Sequence, residues 1–182
     1  VAEDTLTHVD QAVEGLTKNA TERKEIAISF SDICGFTSKC EKLDSEEVVS
    51  LLNSYFDLMV SAIHSYQGII DKFIGDAIVV RFDSGDLAQD AYNCVKSAKK
   101  MIEELEQLNK SNSEPIQIRI GVNTGEVILG NIGSQKYRLE YAMIGDNVNI
   151  AQRLESNAPK DGVLISQSTY DLIKDKVEVE TP

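Results

Sequence analysis

An α+β fold with an antiparallel-containing sheet is predicted for this chain by three observations. Short β-branched runs and two long amphipathic stripes follow one another in the order strand, helix, strand, strand, helix, strand. Two of those strands, Ile69 to Ile74 and Ala77 to Phe82, are separated only by Gly75 and Asp76, the spacing of a tight hairpin. The 182 residues are 42% hydrophobic, which supports one substantial core rather than two. Such an order is the ferredoxin-like βαββαβ arrangement, here continued by a C-terminal strand and helix extension. It predicts a sheet covered by helices on one face, with the other face left for a ligand or a partner.

Taken in order, residues 1–23 predict an N-terminal helix and residues 24–182 the globular domain. Ala2, Leu6, Val9, Val13, Leu16 and Ala20 recur at alternating steps of four and three, the seam of a coiled coil. With fewer than three heptads, two assignments stay open: a signalling helix that couples two copies to an upstream sensory domain, or an amphipathic helix packed on its own domain. Glu25 to Asp32 predicts a buried strand. Ser45, followed by Glu46 and Glu47, predicts a helix start with an acidic first turn, and the stripe from Val48 to Tyr66 runs to a stop at Gly68. After the hairpin a second helix is predicted from about Asp86 to Asn109, with Leu87, Ala91, Cys94, Val95, Ala98, Met101, Ile102, Leu105 and Leu108 on its buried side. Pro115 opens a strand through Asn123, and Gly125 to Ile132 and Arg138 to Ile144 predict two more around an exposed GSQKYR segment. NVNIAQRLE predicts a helix, APKDGVLIS a turn and short strand, and Gln167 to Lys176 a last helix, before VEVETP, which resembles an unfinished strand.

Composition narrows the function classes. A formal net charge of −12 disfavours adhesion to nucleic-acid backbone or anionic lipid, while a nucleotide that carries its own magnesium remains compatible. No apolar run approaches the roughly 20 residues of a membrane span and no signal-peptide pattern opens the chain, so a soluble, cytoplasmic piece is expected. Val1 stands where a start methionine would, which predicts an excised part of a larger protein. Cys34, Cys40 and Cys94 are odd in number and lack metal-site spacing, and His8 and His64 both fall in predicted helices, so neither a disulfide, a zinc site nor a catalytic histidine is expected.

Chemistry concentrates in FSDICGFT and KFIGDAIVV, where each segment places one carboxylate, Asp32 or Asp76, at a strand end. Two carboxylates about 4 to 5 Å apart repel by roughly 3 to 4 kcal/mol at an effective dielectric near 20, and a divalent cation between them turns repulsion into attraction. The pair therefore predicts a magnesium site for a nucleotide triphosphate. Taken singly, each aspartate is also an ordinary turn or strand-end residue.

FSDICGFT, KFIGDAIVV, RIGVNTGEVILGNIG and IGDNVNIAQRLE, in this order, resemble the catalytic domain of class III nucleotidyl cyclases, the adenylyl and guanylyl cyclases, from about Lys24 to Val179. The resemblance implies that Asp32 and Asp76 bind two Mg2+ or Mn2+ ions with the backbone carbonyl of Ile33. It implies that Cys34 to Thr37, with Gly35 allowing close backbone approach, covers phosphates; Phe36 is equally a core aromatic. Asn149 and Arg153, four apart on one helix face, are implied to orient the ribose and to stabilise charge on the α-phosphate. Arg119 falls where the family often has an arginine near the phosphates, and it is also placed to pair with acidic neighbours. Lys136 and Arg138 are expected in a dimer arm.

Base selection follows from the same resemblance. Lys72 matches the lysine that faces adenine in adenylyl cyclases, which favours ATP over GTP. Its usual partner is an aspartate or threonine, and here that position is Ala142, which removes one hydrogen bond to the purine, a loss of about 1 to 3 kcal/mol in discrimination. In the family two copies pair head to tail, so a homodimer with composite sites is expected: one copy gives the aspartates, the other Lys72, Asn149 and Arg153. The family's further phosphate-binding lysine would lie beyond Pro182, so the domain is expected to be truncated at its C-terminus. The predicted function is an adenylyl cyclase that forms 3′,5′-cyclic AMP and pyrophosphate from ATP. The alternatives are a guanylyl cyclase, kept open by Ala142, and a catalytically weak module that dimerises or senses nucleotide.

Overall fold

The computed structural model describes residues 21–112 and 114–180. Its elements are β1 (Glu22–Ile33), α1 (Phe36–Cys40), α2 (Ser45–Ser65), β2 (Ile69–Ile74), β3 (Ala77–Phe82), α3 (Leu87–Asn109), β4 (Ile118–Ser134), β5 (Arg138–Ile144), α4 (Asp146–Asn157), β6 (Gly162–Ile165) and α5 (Gln167–Ile173). One sheet has the order β2-β3-β1-β4-β5. All its ladders are antiparallel except that of β6, which lies parallel to the first half of β4. The α+β class and the central βαββαβ order are as predicted. The expected coiled-coil seam lies outside the described residues.

Alternation along β1 and β4 divides the core in two. On the first face Ala27, Ile33, Ile78, Val80, Phe82, Ile118, Ile120 and Val122 meet α2 and α3 through Tyr55, Met59, Ile63, Cys94, Ala98, Met101 and Leu105, all buried. On the second face Ile26, Ile28, Phe30, Val79, Val127, Leu129 and Met143 form a smaller cluster closed by Ala151 and Val148 of α4. The second face is therefore not left open, as the sequence predicts, because α4 lies across part of it. Gly121 allows this: a Cβ there would collide with the Ala151 carbonyl and the Glu155 backbone.

Several boundaries differ from prediction, each for a local reason. The two strands expected on either side of Thr124 are one strand, β4, because Thr124 and Gly125 stay in the ladder opposite Ala27 and Ile26. Gly125 marks close approach rather than a break, since a Cβ there would strike the Asn147 side chain of α4. β1 begins at Glu22, earlier than expected, because β4 is long enough to pair with it as far as Leu129. The cap of α2 is Asp44 rather than Ser45: its carboxylate accepts from the Glu47 N–H at 2.8 Å, and Glu47 Oε2 accepts in return from the Asp44 N–H at 3.0 Å. Residues 177–180 join no strand. No helix among the described residues is long and apolar enough to cross a membrane.

β5 does more than extend the sheet. β1 and β4 stand between it and β3, yet the Arg81 guanidinium of β3 lies 5.3 Å from the Tyr141 ring centroid of β5. The β4–β5 arm thus curls back over the second face, and Ile132, Tyr137, Tyr141 and Ile144 along it are exposed.

Candidate active site

Asp32 continues the alternation of Ile26, Ile28 and Phe30, so its side chain emerges on the second face at the C-terminal end of β1. The β2–β3 turn reaches the same end. Gly75 takes a left-handed φ of 61°, which glycine adopts without a steric penalty, and the turn delivers Asp76 to the last residue of β1. There Asp76 Oδ2 accepts a 2.8 Å hydrogen bond from the Ile33 N–H. This bond ties the two halves of the predicted carboxylate pair to adjacent residues of one strand end. Burial raises the Asp76 carboxyl above its ordinary value; the Ile33 hydrogen bond opposes the rise and the Asp32 charge adds to it.

Arg119 is the cross-strand partner of Asp32, and its Nη2 lies 3.7 Å from Asp32 Oδ1. The guanidinium also reaches α4: Nε lies 3.6 Å from Glu155 Oε1, and Nη1 donates to the Ser156 carbonyl at 3.2 Å. Of the two roles expected of Arg119, pairing with acidic neighbours is the one these contacts show. Glu155 is the residue that sequence reasoning missed. It is 6% exposed, and its carboxyl is pushed up to about 8, first by burial and then by Asp32, with Arg119 opposing. Its signal was present in the spacing: Val148, Ala151 and Glu155 share one helix face, so a core position held an acid.

The pair fits hard divalent cations. Asp32 Oδ1 is buried without a hydrogen-bond donor, although an Arg119 guanidinium nitrogen lies near it. Among the described residues no group of three or more His, Cys, Asp or Glu side chains forms an all-protein cage. Two carboxylates with room for substrate oxygens are the complement that Mg2+ commonly takes.

Other predicted residues fall in separate places. Gly35 has φ 66° and caps α1, a short helix that is not among the elements predicted from the sequence. Phe36 packs against the first-face core, Thr37 is exposed, and neither touches the carboxylates through a hydrogen bond. Asn149 and Arg153 are exposed on α4, turned away from the sheet, and no hydrogen bond or ion pair among the described residues joins their side chains to Asp32 or Asp76. Lys136 and Arg138 are exposed on the arm.

Lys72 lies on the second face near the arm. Its Nζ is 3.6 Å from both Asp71 Oδ2 and Glu140 Oε1. A register shift between Ile70 and Lys72 lets Asp71 turn inward, where its side chain is 1% exposed and Oδ1 sits 3.4 Å from Arg81 Nη1. Ala142, half-buried, pairs with Gly130 in the β4–β5 ladder. Sequence reasoning also missed Asp71 and Glu140, because charged residues in short edge strands look like solvated positions.

Comparison with known proteins gives this geometry its family. The description "Adenylate and Guanylate cyclase catalytic domain" matches residues 18–181. The terminal-differentiation specific adenylate cyclase of Dictyostelium discoideum is 36% identical over 85% of the chain, which spans only 7% of that protein's length. The crystal structure of the adenylyl cyclase CyaB from P. aeruginosa is similar with a TM-score of 0.76 at 37% identity, covering 87% of this chain and 84% of that one. That of the guanylyl cyclase Cya2 is similar with a TM-score of 0.81 at 38% identity, covering 88% and 83%. With an aspartate pair tied together at a strand end, and with relatives that cyclise either purine nucleotide, the chain belongs to the family of adenylate and guanylate cyclase catalytic domains.

Proposed function

We propose that this domain is an adenylyl cyclase that converts ATP to 3′,5′-cyclic AMP and pyrophosphate at sites shared between two copies. The observation that carries the catalytic part is the hydrogen bond from the Ile33 N–H to Asp76, which brings both aspartates to one strand end. Asp32, Asp76 and the Ile33 carbonyl would hold the Mg2+ or Mn2+ ions. When bound, those ions supply acidification of the attacking 3′-hydroxyl and neutralisation of the triphosphate.

The remaining work is positioning and charge. Arg153 offers a planar fork of donors to the α-phosphate as negative charge grows there. Asn149, one turn away on the same exposed face, orients the ribose so that the 3′-oxygen attacks in line. Gly35 and Thr37 stand beside the phosphates, with Phe36 anchoring that turn to the core. Arg119 and Glu155 hold Asp32 in place from β4 and α4.

Asn149 and Arg153 share no hydrogen bond or ion pair with the aspartates of their own chain among the described residues, which supports a second copy as their acceptor. The exposed apolar side chains of the arm, Ile132, Tyr137, Tyr141 and Ile144, offer a surface for that copy. Lys72 supports ATP as the nucleotide. A second reading, guanylyl cyclase, rests on Ala142. Parallel assays of the chain with ATP and GTP in Mn2+ decide between them: cyclic AMP as the dominant product supports the proposal, and cyclic GTP-derived product alone refutes it.

A further inference from the structure

Lys72 has two carboxylates at equal distance, and they are not equivalent. Asp71 is buried and engaged by Arg81, so it is fixed beneath the lysine and closed to a ligand. Glu140 approaches from the arm with its side chain 55% exposed, so it remains open to whatever contacts the Lys72 ammonium. Glu140 and Ala142 are two residues apart on β5, which puts them on the same side of that strand.

We propose that Glu140 is a specificity-determining residue of the purine pocket, its carboxylate taking the place of the side chain that Ala142 lacks. The inference rests on the nucleotide reading given above and extends it to the base. An ammonium beside a carboxylate presents one donor group and one acceptor group. The adenine edge is complementary: ring N1 accepts from Lys72, and the neighbouring 6-amino group donates to Glu140. Guanine in the same pose opposes both contacts, because its N1–H faces the ammonium and its 6-oxygen faces the carboxylate. Asp71 and Arg81 support the pair from below, holding the lysine against Glu140 before any base arrives.

Glu140 is one methylene longer than aspartate, and its carboxylate already meets the Lys72 ammonium. The acceptor has moved along β5 rather than vanished. This accounts for a lysine that keeps its adenine-facing position opposite an alanine.

The test compares wild type, Glu140→Ala and the double variant E140A/A142D. Two readouts are used: kcat/KM for ATP and GTP, and competitive binding of 3′-deoxy-ATP and 3′-deoxy-GTP, which lack the attacking hydroxyl. Expected are a wild-type preference for ATP, a fall of about ten- to a hundredfold in the ATP:GTP ratio in E140A, and recovery of most of that ratio when A142D returns a carboxylate to the strand. An active wild type whose ratio changes by less than about twofold in E140A overturns the Glu140 assignment and leaves the cyclase reading standing. A wild type that prefers GTP overturns the assignment as well. A wild type that neither turns over nor binds either nucleotide refutes the nucleotide reading, and the assignment with it.

Discussion

The two faces of one sheet differ in what they bury. Behind the first, α2 and α3 close over a large apolar core in which Tyr55, Met59, Ile63, Met101 and Ile120 are all at most 1% exposed. On the second, a cluster of eight buried residues is flanked by charge at both ends: Asp32, Arg119 and Glu155 at one, Lys72, Asp71, Arg81 and Glu140 at the other. Buried ion pairs are weak sources of stability, because removing charges from water offsets most of their attraction. The first face thus holds the fold together, and the second trades stability for chemistry. Substitutions on the two faces should separate those properties.

The largest separation is expected at the carboxylates. Asp76→Ala or Asp32→Ala should reduce Mn2+-supported cyclisation on the order of a thousandfold while the fold is kept, measured as product formation beside a thermal melt. Next comes Arg153→Ala, with a loss of about a hundredfold in kcat and little change in melting, since the side chain is exposed. Mixing D76A with R153A should restore up to about a quarter of wild-type activity, because half of randomly paired dimers carry one intact site of two. A mixture as inactive as its components contradicts the shared site.

Glu155 gives a smaller, pH-dependent effect. Its folded carboxyl titrates near 8, against an ordinary 4.5, so between those values the unfolded chain has released a proton that the folded chain retains. Stability in chelator should therefore fall as pH rises through that window, by at most about 1.4 kcal/mol per pH unit for one proton. Glu155→Gln should flatten the fall, leaving the part due to the raised carboxyl of Asp76. Equal slopes in urea melts of the two proteins from pH 5 to 8 would contradict this account of the buried acid. Smallest is Ile63→Val on the first face, expected to cost about 0.5 to 1.5 kcal/mol in urea unfolding and nothing in activity per folded molecule.

The same contrast explains what the sequence discloses. Helix stripes and alternating strands report the first face, because apolar periodicity is the direct trace of an apolar core; the element order and most of the buried residues of α2 and α3 are legible in this way. The aspartate pair is legible because two turns with glycine hold it in short motifs. Glu155 and Asp71 are not, since an acid at a core position contradicts the pattern and its partners lie on other elements, Arg119 of β4 and Arg81 of β3. The position of α4 over the second face depends on Gly121, whose meaning emerges only once a helix lies against it. Glu140 is hidden for a different cause: it meets Lys72 because the arm curls across the sheet, and no local pattern encodes that curl.

The most direct test of the central claim is a calorimetric titration of Mn2+ into the chain with saturating 3′-deoxy-ATP, comparing wild type with Asp32→Asn and Asp76→Asn. If the two aspartates share the cations that lie under the triphosphate, wild type binds the metal and each variant weakens it by about tenfold or more. Undiminished Mn2+ binding in either variant would contradict the shared site and the cyclisation mechanism built on it.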